Sequence, residues 1–189
     1  MIWLNAFNLP WYQSEFVKLN VYGNFEPSRV LYQTQNLFGY LDSQNDLQET
    51  YYTEREIAHL ADIKNILLAV KIITAAILAV LILTWFLVWR TREYERVIKI
   101  IFWSSAAGFI GYLLAGAFLF FFFERFFILF HQVLFRNDFW LLDPAKESLI
   151  MIFPPQLFAD LGGRILIGSL IVSGIMFIVS GLYLLRRKN

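Results

Sequence analysis

The fold class is decided by residues 66–89, ILLAVKIITAAILAVLILTWFLVW, which contain a single charged side chain, Lys71. About 20 consecutive apolar residues cross the hydrocarbon core of a bilayer as a helix. Lys71 lies near the start of the segment, from where its long side chain reaches the interface. Trp85 and Trp89 lie at the other end and are typical of an aromatic belt. This stretch therefore predicts a membrane-spanning helix.

Two further apolar stretches, 97–123 and 165–185, are also long enough to cross a bilayer. With 58% hydrophobic residues over 189 positions, the chain is too apolar for an ordinary soluble domain. We expect an all-α, integral membrane helical bundle with three visible spans. Small residues recur every fourth position in the second span and predict close helix packing there: Ala107, Gly111 and Ala115.

Basic residues near the ends of the spans predict the orientation. Four lie over 90–99, where the first span ends and the second begins (Arg90, Arg92, Arg96 and Lys99), and three follow the last span (Arg186, Arg187 and Lys188). Such residues mark the cytoplasmic side. We expect an extracytoplasmic segment at 1–64, a membrane domain over 65–185 with an extracytoplasmic interfacial loop at 124–164, and a cytoplasmic tail at 186–189.

Export of the polar 1–64 segment lacks a visible signal. We expect that a fourth spanning helix precedes Met1 and is missing from this sequence. The alternative is translocation of the N-terminal tail by the first span itself.

Local patterns predict further helices. Apolar spacing indicates an amphipathic helix over 27–41. Thr53 and Glu56 form a capping box for a helix that continues into the first span. In the outer loop, 126–135 is an apolar helix that Asn137 interrupts, and 147–153 is a short apolar stretch. One or two turns over 156–161 then precede a third span that begins at Gly162-Gly163.

Both histidines of the chain, His59 and His131, lie in the inferred extracytoplasmic regions. Histidine changes its charge near neutral pH, which suits a general base or nucleophile. Glu56 and Asp62 flank His59 at helical spacing, and Glu124 lies two turns before His131 on the same predicted face. Two alternatives stay open: His131 anchors a helix at the headgroups, and His59 belongs to a solvated, charged helix face.

Several site classes find no support in the sequence. There is no cysteine, HExxH motif, GxSxG elbow or glycine-rich phosphate loop. Arg136 stands where an HxxxxD acyltransferase motif would need Asp. We therefore expect no metal and no cofactor. The net charge of +1 gives no nucleic-acid footprint. The three spans contain only Lys71 and, near the start of the second span, Lys99, and so offer no ion pathway.

Three stretches together resemble a known family: YYTEREIAHLADIK at 51–64, FHQVLFRNDFWLLDP at 130–144 and ESLIMIFPPQLFAD at 147–160. They are similar to the small integral membrane family that includes the lipoprotein intramolecular transacylases of Gram-positive bacteria. The resemblance covers most of the chain and is most specific in the Phe-His, Asn, Trp and Asp-Pro series. That family has four spanning helices, whereas three are visible here.

The resemblance implies an acyltransferase without a cofactor, with the bilayer and a diacylglyceryl-modified lipoprotein as its partners. The acyl chain would move from the sn-2 position to the α-amine of the N-terminal cysteine. His131 and His59 would be the catalytic pair, and Asn137, Trp140 and Asp143 would shape the loop and orient His131. Two other functions remain: a non-catalytic membrane scaffold or accessory protein, and a lipid hydrolase with the same histidine pair.

Overall fold

The computed structural model describes residues 2–187, which form helices joined by short loops and contain no β-strand. The predicted all-α fold is confirmed. Single 3₁₀ turns occupy Val21–Gly23 and Glu49–Tyr51. The α-helices are α1 (Ile2–Ala6), α2 (Leu9–Lys18), α3 (Pro27–Leu41), α4 (Glu54–Thr91), α5 (Tyr94–Leu134), α6 (Ser148–Ile152) and α7 (Pro155–Arg186).

Three of these helices are long and apolar enough to cross a membrane: α4 with 38 residues, α5 with 41 and α7 with 32. Each has more residues than the roughly 20 that one crossing uses. The first turns of α4 and the last turns of α5 therefore lie outside the predicted spans 66–89 and 97–123. Both histidines occupy these extra turns.

The chain divides into two compact units. We call residues 2–70 and 122–162 the histidine unit, because both histidines belong to it. Residues 71–121 and 163–187 form the second unit, here called the span unit.

α7 differs from the sequence-based expectation. It begins at Pro155 and runs through Gly162 and Gly163 without a break. Proline is favoured at the first helical position, where its missing N–H costs no hydrogen bond. Each glycine disfavours a helix by only about 1 kcal/mol, which the long apolar segment that follows outweighs.

The backbone of α5 is interrupted at Phe122, whose φ of −131° and ψ of 23° are not helical. Helical conformation resumes after it and continues to Leu134. The apolar helix predicted over 126–135 is therefore the last part of α5.

Within the span unit, α5 and α7 pack through small and aromatic side chains. The Ser173 hydroxyl donates to the Ser105 carbonyl oxygen at 2.8 Å, which joins the two helices. The rings of Phe102 and Phe177 stack with centroids 4.7 Å apart. A Cβ built on Gly108 would lie 3.2 Å from the Ser173 hydroxyl oxygen, so the small residue at this position permits the close approach.

The small-residue ridge was predicted on the wrong face of α5. Ala107 and Gly111 are exposed, and a Cβ on Gly111 would meet no described atom within 4 Å. The helix contact uses Ser105 and Gly108 instead. Small residues recur often enough along this span that spacing alone does not single out the packed face.

The histidine unit has its own apolar core. Tyr12 and Phe16 of α2 pack against Phe153, with ring centroids 6.2 and 5.8 Å apart. Other buried apolar residues complete this core: Val21, Val30, Leu37, Leu60, Leu149, Ile152 and Leu157. The core draws on the N-terminal helices, α4, α6 and the start of α7, and so fixes the α4 turn that carries His59.

Candidate active site

His59 on α4 and His131 on α5 lie side by side in the histidine unit. Their ring centroids are 6.0 Å apart, and the ring planes meet at 37°. Both residues are buried, with 6% and 9% of their surface exposed. The structure thus brings together two imidazoles that are 72 positions apart in the sequence, 131 minus 59.

The orientation of His131 is set by its own helix. Its Nδ1 lies 2.7 Å from the carbonyl oxygen of Phe127, one turn earlier. A carbonyl oxygen only accepts hydrogen bonds, so Nδ1 carries the proton, and Nε2 has the free lone pair. The rings of Phe127 and Trp140 pack against the imidazole at centroid distances of 4.3 and 5.0 Å.

His59 has a buried Nδ1 without a hydrogen-bond partner among the described residues. The ring of Phe135 contacts it edge to face, with centroids 4.9 Å apart. A buried polar atom without a partner is costly, and such groups in folded proteins often serve a function.

The pKa of His59 is lowered from the usual 6.5 to about 4. Burial is the main cause and the neighbouring His131 acts in the same direction, while the Asp62 carboxylate opposes both. Burial also lowers the pKa of His131, although its hydrogen bond to the Phe127 backbone opposes this change. An apolar environment disfavours a charged imidazole. Both rings are therefore neutral at pH 7 and able to accept a proton.

Asp62 and Asn137 join the two halves of the site. The Asn137 amide donates to an Asp62 carboxylate oxygen at 2.8 Å, and its own amide oxygen accepts from the Phe139 backbone N–H. Asp62 acts on His59 through its charge. The pair connects α4 to the loop after α5, which holds Trp140 over His131.

Asp143 and Glu147 organise the outer part of this loop. The Glu147 carboxylate accepts from the Asp143 backbone N–H, and an Asp143 carboxylate oxygen accepts from the Ala145 backbone N–H at 2.9 Å. Asp143 therefore shapes a turn.

Glu56 has a structural position at the start of α4. One carboxylate oxygen accepts from the Thr53 backbone N–H at 2.6 Å, which completes the predicted capping box. The other accepts from the Leu149 backbone N–H at 2.6 Å. With both oxygens engaged in this way, Glu56 ties α4 to α6.

Glu124 is exposed and lies two turns before His131. At 1.5 Å per residue, these positions are about 10 Å apart along the helix, too far for a direct hydrogen bond.

Two residues of the site were not singled out in the sequence. Phe135 is 8% exposed and contacts both imidazoles, with its centroid 5.5 Å from that of His131. Its position four residues after His131 was an available signal, because such residues share a helix face. Arg55 donates to the Asp138 carbonyl oxygen at 2.8 Å, a contact that no local pattern indicates. The described residues contain no cluster of three or more His, Asp or Glu side chains suited to a metal ion.

A family model, lipoprotein intramolecular transacylase Lit, matches residues 1–158. The chain belongs to this family. The resemblance identified in the sequence is thus confirmed, and with it the assignment as a membrane acyltransferase that acts on lipoproteins.

Solved structures of the same family share the fold. The membrane-integral lipoprotein intramolecular transacylase Lit from Bacillus cereus superimposes with a TM-score of 0.84 at 22% sequence identity, covering 98% of this chain and 86% of that one. A second structure of the B. cereus transacylase, with a histidine-to-alanine mutation, gives a TM-score of 0.77 at 22% identity and covers 98% and 84%. None of the curated proteins matches the chain significantly.

Proposed function

We propose that His59 and His131 are the catalytic pair of this transacylase, with a diacylglyceryl lipoprotein as the substrate. The observation that carries the proposal is the 6.0 Å separation of two buried imidazoles, both with lowered pKa values. Neither an interfacial anchor nor a solvated helix face requires two histidines to pack together in this way.

The reaction needs one base and one acid. The acyl chain leaves the sn-2 oxygen of the diacylglyceryl group and joins the α-amine of the same N-terminal cysteine. An ester C–O bond breaks and an amide C–N bond forms, while the amine loses a proton and the sn-2 oxygen gains one. A positioned base accelerates such proton transfers by about 10²–10⁴-fold. Because donor and acceptor belong to one molecule, the substrate itself supplies much of their proximity.

The tautomer of His131 assigns it the role of the base. Its Nδ1–H donates to Phe127, so the free Nε2 accepts the proton of the attacking amine. His59, with an unpaired Nδ1, donates a hydrogen bond that stabilises the developing negative charge. The proton that His131 has taken from the amine then passes to the departing sn-2 oxygen, which returns His131 to its neutral form. Two neutral imidazoles begin and end the cycle in the same charge state.

The surrounding residues position this pair. Asn137 and Asp62 hold the loop to α4, and Trp140 and Phe135 fix the ring of His131. Asp143 and Glu56 support these residues through the loop turn and the start of α4.

The exposed apolar side chains of the last part of α5 are the surface for the acyl chains. Ile128, Leu129 and Val133 are 48%, 56% and 74% exposed. Exposed apolar surface on this scale is typical of contact with lipid.

The histidines work on the extracytoplasmic side, and Glu124 lies with Arg125 at that interface. The basic residues between α4 and α5 and after α7 support this orientation. Because the chain has no cysteine, single-cysteine variants report sidedness directly. We expect a membrane-impermeant maleimide to label Gln48→Cys in intact cells and to label Glu93→Cys only after lysis. The reverse pattern would overturn the orientation.

The decisive experiment is mass spectrometry of lipoprotein N-termini from cells that express each variant. His131→Ala and His59→Ala should each lose conversion to the N-acyl, S-monoacylglyceryl form by about 10²–10⁴-fold. Gln132→Ala, an exposed neighbour, serves as the matched control and should retain activity. Wild-type conversion by either alanine variant would remove that histidine from the mechanism.

The same assay separates two other routes. Release of free fatty acid without N-acylation would indicate a hydrolase. An acyl adduct on His131 or His59, seen by mass spectrometry of the intact protein, would indicate a covalent acyl-imidazole instead of direct transfer.

A further inference from the structure

A groove of about 860 Å³ opens in the histidine unit. We call it the loop groove. Residues Thr53, Glu54, Arg55 and Ala58 form one wall, and Asp138, Phe139 and Glu147 form the other. Its volume is in the range of sites that hold a ligand.

The loop groove is lined by residues that adjoin the proposed catalytic residues in the chain. Ala58 directly precedes His59, and Asp138 directly follows Asn137, the residue that bonds to Asp62. The hydrogen bond from Arg55 to the Asp138 carbonyl joins the two walls. A substrate group bound here would contact residues that are next in sequence to His59 and Asn137.

The groove differs in polarity from the exposed surface at the end of α5. That surface presents Ile128, Leu129 and Val133, which suit acyl chains. The groove presents the exposed residues Glu54, Arg55 and Asp138 around Phe139, which is 43% exposed. A lipoprotein substrate needs both kinds of surface, because its N-terminal cysteine carries apolar chains on sulfur and a polypeptide on its carbonyl. A peptide backbone requires hydrogen-bond partners or water.

We propose that the loop groove binds the polypeptide segment that follows the acylated cysteine and favours basic residues in it. The proposal rests on the proposed function for the identity of the substrate. The Glu54 and Asp138 carboxylates attract a Lys or Arg side chain, and Phe139 offers an aromatic face to the same cation. Arg55 is held by the Asp138 carbonyl.

The test compares two synthetic substrates: a diacylglyceryl-cysteinyl peptide with Lys-Lys after the cysteine, and one with Glu-Glu. The wild-type protein in detergent should show a KM about 3- to 10-fold lower for the Lys-Lys substrate, since exposed charge pairs have modest effects. High salt should reduce the ratio of the KM for the Glu-Glu substrate to the KM for the Lys-Lys substrate. Glu54→Gln/Asp138→Asn should bring the ratio close to one, and Glu54→Lys/Asp138→Lys should invert it.

The matched control is Asp46→Lys/Glu49→Lys, which makes the same change of charge at exposed positions of the histidine unit outside the groove. It should retain the wild-type ratio. An equal effect in the control and groove variants would overturn the proposal, because only the net charge would then matter. Equal KM values for the two substrates in the wild-type protein would overturn it as well.

A second measurement does not depend on turnover. A benzophenone is placed in the substrate peptide, at the third residue after its acylated cysteine. It should crosslink to residues 53–58 or 138–139 of the protein, both in the wild type and in His131→Ala. Crosslinks confined to 2–45 would overturn the groove assignment even if the enzyme is active. Crosslinks in the groove of the wild-type protein without any acyl transfer would contradict the proposed function alone.

Discussion

The histidine unit and the span unit satisfy their polar groups by different means. In the histidine unit, key hydrogen bonds join residues far apart in the sequence: Glu56 with Leu149 across 93 positions, and Asp62 with Asn137 across 75. In the span unit, serine hydroxyls mostly donate to carbonyls one turn earlier, as Ser169 does to Ile165. The first arrangement depends on a few tertiary contacts, whereas the second is largely local. Substitutions of polar residues should therefore cost more in the histidine unit.

The largest effect is expected at Glu56. Glu56→Ala removes the capping box and leaves the buried Leu149 N–H without its acceptor. The free energy of unfolding should fall by about 2–4 kcal/mol, from a lost cap and an unsatisfied donor. Thermal unfolding in detergent measures this loss. Glu56→Gln is the control, because glutamine also closes a capping box and keeps an acceptor oxygen. Equal stability of the two variants would contradict the tertiary role of Glu56.

The next effect is a dependence of stability on pH. The pKa of His59 is about 4 in the folded protein and 6.5 when exposed, so the unfolded chain binds more protons between these values. The contribution is complete above pH 6.5 and is lost as the pH falls towards 4, an effect of about 2–3 kcal/mol. Unfolding of wild type and His59→Gln between pH 4 and 7 should show a shallower slope for the variant. Parallel curves would place the titrating group elsewhere.

A smaller effect is expected at Phe135. Substitution of this residue distinguishes a role in stability from a role in positioning the imidazoles. Phe135→Leu should reduce stability by about 1 kcal/mol, since most of the buried volume remains. It should also lower kcat by about tenfold with little change in KM, because the imidazoles lose their fixed separation.

The two histidines allow a direct readout of this Phe135 variant. With ¹⁵N-labelled histidine, NMR resolves two residues, and the pKa of His59 should rise towards 6.5 as its burial decreases. Val133→Ala, at a 74% exposed position, should leave both titrations unchanged. An unaltered His59 pKa in Phe135→Leu would limit Phe135 to a packing role.

The smallest effect is expected in the span unit at Ser173. Ser173→Ala removes the hydrogen bond to the Ser105 carbonyl and should cost about 0.6 kcal/mol, the average for such bonds between membrane helices. Ser169→Ala loses only a bond within α7 and should be close to neutral. A loss at Ser173 as large as that at Glu56 would remove the contrast between the two units.

Local patterns predicted much of the secondary structure correctly. The helix over Pro27–Leu41, the capping box of Thr53 and Glu56 and the continuation of that helix into the first span all agree with the structure. Each depends on residues within one or two turns of each other. The start of α7 at Pro155 differs from the prediction, because the pair Gly162-Gly163 suggests a break that the helix does not contain.

The sequence by itself determined the membrane class, the three long apolar helices and the family. Those properties follow from apolar length and from motifs of adjacent residues, which need no knowledge of packing. Only the tertiary structure decided that His59 and His131 lie 6.0 Å apart, that Glu56 bonds to Leu149 and that Phe135 contacts both imidazoles. Each of the first two contacts joins segments separated by more than 70 positions. Their geometry depends on how whole helices pack, and the spacing of residues within one segment does not determine that packing.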